Sequence, residues 1–175
     1  MTDYAKCQLT QFPAPVLDTR AEPIVEINDD IRTLAERMID LMVETEGVGF
    51  AGPQAGVNLR IFVVSLDSSR ENAKVYINPE IEVSGPVISH EEGCLSLPGI
   101  YGQIKRYACC RVTATDLDGN RFAEEGEGLL ARAFQHEYDH LEGTMIKDRL
   151  SRMAKIRARA RLKELLDEFK NNAAS

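Results

Sequence analysis

The sequence has no uninterrupted apolar stretch of about 18 residues, the length that a membrane-spanning helix requires. Its first residues also lack the basic and then apolar pattern of a secretory signal peptide. Acidic residues outnumber lysine and arginine by 28 to 21, which gives a formal net charge of −7. A surface of that sign does not attract DNA or an anionic membrane. We therefore expect a cytoplasmic protein that acts on neither.

The sequence contains only four cysteines, and they do not indicate a disulfide framework. The four cysteines contain no CxxC pair, and a cytoplasmic protein keeps its thiols reduced, so a disulfide framework is not expected. The sequence also has no internal repeat, no low-complexity tract and no segment that resembles a domain linker. Its 175 residues lie within the usual size range of one domain. We expect a single domain over residues 1–175.

Hydrophobic spacing predicts helices that are separated by a group of strands. A proline-rich extended arm is expected over residues 1–28, and a helix that ends at Gly47 follows Asp29 and Asp30. The predicted strands cover residues 61–66, 74–78, 111–116 and 121–124, the last two joined by a turn at Asp118-Gly119-Asn120. Further helices are predicted at 127–141 and 151–170. Because the strands lie mainly between helices, we expect an α+β fold with mixed or antiparallel sheets.

An H-E-x-x-H pattern lies inside the helix that is predicted at 127–141. His136 and His140 are four residues apart and therefore share one helical face, where both imidazoles can point at one ion. Glu137 lies beside that face, where its carboxylate can reach a water molecule without binding the ion. Metal-assisted hydrolysis requires this combination of an open coordination position and an adjacent base. The alternative is a surface helix that carries two histidines by chance.

A catalytic metal site of this type requires a third protein ligand. Cys94 is the strongest candidate, because a thiolate binds borderline metals tightly and the neighbouring glycine allows close backbone approach. His90, Glu91 and Glu92 are rivals for the same role. A free cysteine that packs inertly in the core is the other alternative, so spacing alone leaves the third ligand open.

Residues 47–52 form a G-x-G-x-x-G pattern, which is typical of dinucleotide binding. That fingerprint follows a strand and opens a helix, whereas this one follows a helix and runs into Pro53. We therefore predict a loop that lets a substrate approach the backbone. Gln54 at its end could donate a hydrogen bond to an oxyanion, or could simply satisfy loop carbonyls.

Three segments together resemble the signature motifs of the peptide deformylase family. They are GVGFAGPQ at 47–54, EGCLS at 92–96 and QHEYDH at 135–140, in the order and with the separations of that family. FPAPVL at 12–17 and GLLAR at 128–132 extend the resemblance. It implies an enzyme that removes the formyl group from the N-terminal methionine of newly made polypeptides. It also implies a central metal-binding helix with sheets packed around it, and a C-terminal helix.

The resemblance implies a role for each residue that matches a motif position. Cys94, His136 and His140 would bind one divalent metal ion. Glu137 would be the catalytic acid and base. The implied ion is Fe(II), and Zn, Ni or Co could replace it in a purified sample, since this ligand set does not choose among them.

The remaining implied roles concern the substrate and the support of the metal site. Gln54 and the backbone N–H of Leu95 would stabilise the oxyanion, and Gly49 would hydrogen-bond the substrate backbone. The other implied site residues are Val48, Leu129 and Ala133 in an apolar methionine pocket, Tyr101 beside the peptide beyond methionine, and an Asp139–Arg106 ion pair that supports His140. Ordinary core packing is the alternative for the three pocket residues.

Basic residues are concentrated at the start of the last predicted helix. They are Arg149, Arg152, Lys155, Arg157, Arg159, Arg161 and Lys163. A solvated helical face is the general interpretation. Contact with ribosomal RNA near the exit of nascent chains is the more specific hypothesis.

Two other classes of protein use a metal site of related composition. A zinc peptidase also carries H-E-x-x-H, but its third ligand usually lies downstream and is rarely a cysteine. A structural metal site in a non-enzymatic binding protein requires four protein ligands. The presence of Glu137 and Gln54 argues against a purely structural site.

Overall fold

The structure is a computed structural model that describes residues 3–173. Its centre is a five-stranded sheet with the strand order β1-β2-β3-β4-β5, and every neighbouring pair is antiparallel. The strands are β1 Gly49–Ala51, β2 Ile61–Val64, β3 Lys74–Gly93, β4 Tyr101–Thr115 and β5 Arg121–Glu127. The helices are α1 Asp29–Glu44, α2 Gly128–Leu141, α3 Ile146–Arg149 and α4 Arg152–Ala173. The expected α+β class is confirmed, with one antiparallel sheet.

Strand β3 is much longer than the sequence pattern indicated. The predicted strand ended at Asn78 because Pro79 follows it, but β3 continues to Gly93. Beyond residue 78 this strand pairs with β4 alone, and its register shifts between Ile77 and Glu80 and again between Ser84 and Val87. Proline lacks an N–H donor, and a bulge or a free sheet edge tolerates that loss. The prolines therefore interrupt the ladder without ending the strand.

Helix α1 begins at Asp29, so the two aspartates that were expected to precede it form its first turn, and Asn28 is its N-cap. The Asn28 side chain accepts a hydrogen bond from the backbone N–H of Ile31 at 3.1 Å. Asp29 and Asp30 occupy the first turn, where their charges favour the positive end of the helix dipole. The helix buries Leu34, Met38 and Met42 against the side of the sheet that carries Phe50 and Ile61.

Helix α2 packs across the opposite side of the sheet. Phe134 is fully buried, and its ring centroid lies 5.3 Å from that of Tyr76 and 6.4 Å from that of Phe62. The next side chain, Gln135, bonds the main chain of β4. Its Oε1 accepts from the N–H of Tyr107 at 3.0 Å, and its Nε2 donates to the Tyr107 carbonyl at 2.9 Å. The amide thus completes the hydrogen bonds that a neighbouring strand would make, and joins α2 to the sheet.

The segment before α1 contains two short 3-10 turns, Tyr4–Lys6 and Pro15–Asp18. It also forms an isolated parallel bridge between Glu22 and Leu59. Within residues 3–173, none of the helices is long and apolar enough to cross a membrane.

Candidate metal centre

A thiolate and two imidazoles converge between the end of β3 and helix α2. Cys94 directly follows β3, and His136 and His140 lie one turn apart on α2. One donor atom from each of these residues lies within 4.8 Å of the other two. The Sγ of Cys94 is 3.3 Å from the Nε2 of His140, and the two imidazole centroids are 5.1 Å apart. The three side chains therefore form a group that could hold one metal ion, and Glu137 is not a member of it.

The electrostatic surroundings of Cys94 favour the form of the side chain that binds metals. Burial alone would raise the pKa of the thiol. The nearby imidazoles of His140 and His136 outweigh burial and lower the pKa to about 5. The side chain is thus a thiolate at neutral pH, which is the ligand form of cysteine.

None of the three rivals of Cys94 belongs to the donor group. His90 pairs with Ile104 across the β3–β4 ladder, and Glu91 is exposed at the rim of the site. The Oε2 of Glu92 lies 3.2 Å from the Nδ1 of His136, behind the imidazole. Burial would raise the pKa of Glu92, but hydrogen bonds from His136 and Arg106 prevail and lower it to about 2. Glu92 therefore stays ionised and orients the ring, which leaves the other ring nitrogen for an ion.

A chain of ion pairs continues from Glu92 into the interior. Arg106 donates to both Glu92 oxygens, at 3.0 and 2.9 Å, and to the Oδ2 of Asp139 at 2.5 Å. Arg149, which the sequence analysis did not connect with the site, also binds Asp139. The expected Asp139–Arg106 contact is thus present, but it reaches the site through Glu92 and His136. The Nδ1 of His140 is buried and has no hydrogen-bond partner in residues 3–173, so no hydrogen bond within that range joins the pair to this imidazole.

Glu137 presents a buried carboxylate beside the three donors. Its side chain is 3% exposed, and its Oε2 has no hydrogen-bond partner within the described range. Burial raises the pKa of Glu137 to about 6, although the two imidazoles oppose the shift. A Cβ atom on Gly49 would lie 2.8 Å from the Glu137 carboxyl carbon, so only glycine leaves room for this carboxylate.

The glycine-rich segment is more regular than the predicted loop. Gly49–Ala51 forms β1 at one edge of the sheet, and Gly52–Ala55 forms a 3-10 turn. The fully buried Gln54 accepts a hydrogen bond from Ala51 N–H at 2.8 Å through its Oε1. Its Nε2 points to Cys94 Sγ at 3.8 Å. The backbone contact thus fixes the amide with its donor facing the site.

A cavity of about 270 Å³ opens beside the donors. The expected pocket residues Val48, Leu129 and Ala133 all line it, and so does Arg132, which the sequence analysis did not single out. Leu95 and Gly49 line it as well. Tyr101 does not: it is 67% exposed and lies in an adjacent depression that also contains Cys94 and Leu95, with its ring against Gly93.

The fold and the site together define a class of α+β protein with a Cys-His-His donor group and an adjacent buried carboxylate. The family model described as polypeptide deformylase matches residues 6–156. The chain belongs to this family.

Individual relatives are similar to this chain over almost its whole length. A peptide deformylase of Pseudomonas aeruginosa is 40% identical over 157 residues, which cover 89% of this chain and 94% of the relative. The crystal structure of a peptide deformylase from Legionella pneumophila is 38% identical, with a TM-score of 0.85 over 96% of this chain and 97% of that one. Peptide deformylase 1B of Arabidopsis thaliana is 32% identical, with a TM-score of 0.91 over 96% and 94%.

Proposed function

We propose that this chain removes the formyl group from the N-terminal methionine of newly made polypeptides, as a metal-dependent hydrolase with Glu137 as its acid and base. The observation that carries the proposal is the convergence of a thiolate and two imidazoles within 4.8 Å, beside a buried carboxylate oxygen that has no protein partner in residues 3–173. Membership of the polypeptide deformylase family supports the substrate. Because newly made chains are the substrate, we place the protein in the cytoplasm.

The three donors fit a divalent metal ion. The Cys94 side chain is a thiolate, and the Nδ1 of His136 is engaged by Glu92, which directs the remaining ring nitrogen toward the cluster. When bound by Cys94, His136 and His140, the ion supplies a Lewis acid that polarises the formyl carbonyl and lowers the pKa of water. We propose Fe(II) as the ion, and Zn, Ni or Co can use the same donors. The H-E-x-x-H helix α2 is then the metal-binding helix at the centre of the fold.

The side chains around the donors perform the proton transfers and position the substrate. Glu137 takes a proton from the attacking water and delivers it to the amine nitrogen of the departing methionine. The Nε2 of Gln54 and the backbone N–H of Leu95 donate hydrogen bonds to the oxyanion that forms at the formyl carbon. Gly49 lies on an edge strand, so its outer backbone groups can pair with an extended peptide.

The cavity accounts for the preference for methionine and for formyl. Val48, Leu129 and Ala133 provide apolar walls for an unbranched thioether side chain. The formyl carbon carries only hydrogen, whereas an acetyl group adds a methyl that must fit beside Glu137 and Gln54. Both of these side chains are buried, and the Gln54 amide is held by the Ala51 N–H, so little space can be created.

The chain loaded anaerobically with Fe(II) is expected to release formate from formyl-Met-Ala-Ser. We expect kcat/KM for acetyl-Met-Ala-Ser to be lower by roughly 10- to 200-fold, the range that one methyl group costs in a restrictive pocket. Formate release and free amine are measured in the same reactions. Cleavage of an internal peptide bond in place of the formyl bond would show a peptidase and contradict the proposal.

Helix α4 offers a separate surface for contact with the ribosome. Arg152, Lys155, Arg159 and Lys163 recur at intervals of three and four residues and therefore lie on one face. All four are exposed, and within residues 3–173 none forms an ion pair. Arg161 differs, since its Nε donates to the Pro98 carbonyl at 3.1 Å and its Nη1 pairs with Glu164 and Glu168. We therefore assign RNA contact to the four residues of this face rather than to all seven.

Replacing Arg159 and Lys163 together by glutamate is expected to weaken ribosome binding and to lower the slope of log affinity against log salt by about 2, because two RNA phosphates are no longer neutralised. Binding is measured by cosedimentation across a salt series. Arg111→Glu with Arg121→Glu is the matched control, because it makes the same change of net charge on β4 and β5. Equal salt slopes for the two double variants would refute ribosome contact through this face.

A further inference from the structure

A groove of about 390 Å³ lies between the first turns of α4 and the start of β4. Its lining includes Tyr101, Gln103, Ser151 and Arg157. The groove borders the metal site on two sides, where single residues line both. Glu91 lines both the groove and the cavity beside the donors, and Tyr101 lines both the groove and the depression that contains Cys94. Tyr101 therefore stands between the depression that contains Cys94 and the groove.

Within residues 3–173, the groove contains one unpaired cationic side chain, in a chain whose net charge is −7. Two arginines, Arg157 and Arg161, line it, and Glu91 is its one acidic lining residue among the residues described. Arg161 is engaged by the Pro98 carbonyl and by two glutamates. Arg157 is exposed and has no hydrogen bond or ion pair with any residue in the range 3–173, so its guanidinium is available to an incoming carboxylate. It lies on the side of α4 that faces the groove, away from the stripe formed by Arg152, Lys155, Arg159 and Lys163.

We propose that this groove holds the downstream segment of the polypeptide substrate, and that Arg157 makes the enzyme favour acidic residues there. The inference rests on the proposed function and extends it. An extended chain advances about 3.3 Å per residue, so with methionine in the cavity and the next residues beside Tyr101, the fourth to sixth residues reach the groove. Arg157 is then a specificity-determining residue that never touches the reacting atoms.

The proposal is tested with two octapeptides that share the start formyl-Met-Ala-Ser and carry three glutamates or three lysines at positions four to six. At low ionic strength we expect the unaltered chain to show a kcat/KM roughly two- to fivefold higher for the glutamate peptide, mainly through KM, as an exposed ion pair allows. High salt removes the preference because it screens exposed charges. Arg157→Glu abolishes or inverts the ratio.

Lys170→Glu is the matched control, because it makes the same charge reversal on the same helix outside the groove, and it keeps the preference of the unaltered chain. An equal kcat/KM for both octapeptides overturns the groove proposal, and so does an unchanged preference in Arg157→Glu. If Arg157→Glu weakens ribosome binding but keeps the peptide preference, the arginine serves RNA and the proposal is wrong. Turnover of the tripeptide formyl-Met-Ala-Ser distinguishes failure of the groove proposal from failure of the proposed function. If the unaltered chain does not turn over this tripeptide, the proposed function itself is refuted.

Discussion

Glu137→Gln is expected to lower the turnover of formyl peptides by about 10²- to 10⁴-fold, the usual contribution of general acid–base catalysis. Glutamine has nearly the same size and shape, but its amide cannot take the proton from water or return it to the methionine amine. The three donor side chains are unchanged, so the chain is expected to bind one metal ion as before. Stability should not fall, because a buried neutral amide costs less than a buried carboxylate.

Formate release and metal content are measured on the same preparations to separate these effects. Glu127→Gln is the control, since it makes the same substitution at an exposed position just before α2 whose side chain forms no capping hydrogen bond. Turnover by Glu137→Gln within a few-fold of the unaltered chain would show that another group moves the proton. Loss of the metal together with activity would instead indicate that Glu137 helps to hold the ion.

Cys94→Ala is expected to abolish tight metal binding and, with it, deformylation. Two imidazoles remain, but the thiolate is the only anionic donor in the group. The loss of affinity should exceed the roughly 10- to 100-fold that removal of a supporting hydrogen-bond partner costs, because a direct ligand disappears. Metal retained after dialysis is measured by elemental analysis, alongside formate release.

Cys109→Ala is the matched control for that experiment, because it removes a thiol from β4 that is outside the donor group. It is expected to retain one ion and full turnover. A Cys94→Ala variant that keeps a full equivalent of metal would transfer the third ligand role to Glu91 or Glu92, both of which line the same cavity.

The sequence pattern predicted the helical parts of the site because their information is local. A four-residue spacing places His136 and His140 on one face of any helix, whatever surrounds it. Cys94 could not be distinguished from its rivals by spacing, because its approach to α2 depends on where β3 ends. The role of Glu92 shows the same limit: the contact with His136 joins residues 44 positions apart. Family resemblance provided the assignment that periodicity could not.

The length of β3 and the separate faces of α4 could not be predicted from the sequence, for a different reason. Proline normally ends a strand in a local pattern, and only the free edge beyond Asn78 makes Pro79 tolerable. Similarly, the basic residues of the last helix form one continuous cluster in the sequence. The fold divides them into an exposed stripe of four, Arg161 held by Pro98, Arg157 beside the groove, and Arg149 paired with Asp139.

The side-chain amide of Gln135 fixes the rotation of α2 about its own axis. A helix turns by about 100° per residue, so a rotational error of a single position would carry both imidazoles and the Glu137 carboxylate away from Cys94. The two hydrogen bonds to the Tyr107 main chain can form together at one angular setting only. The main chain of β4 at Tyr107 thereby sets the direction in which the reactive side chains of α2 point.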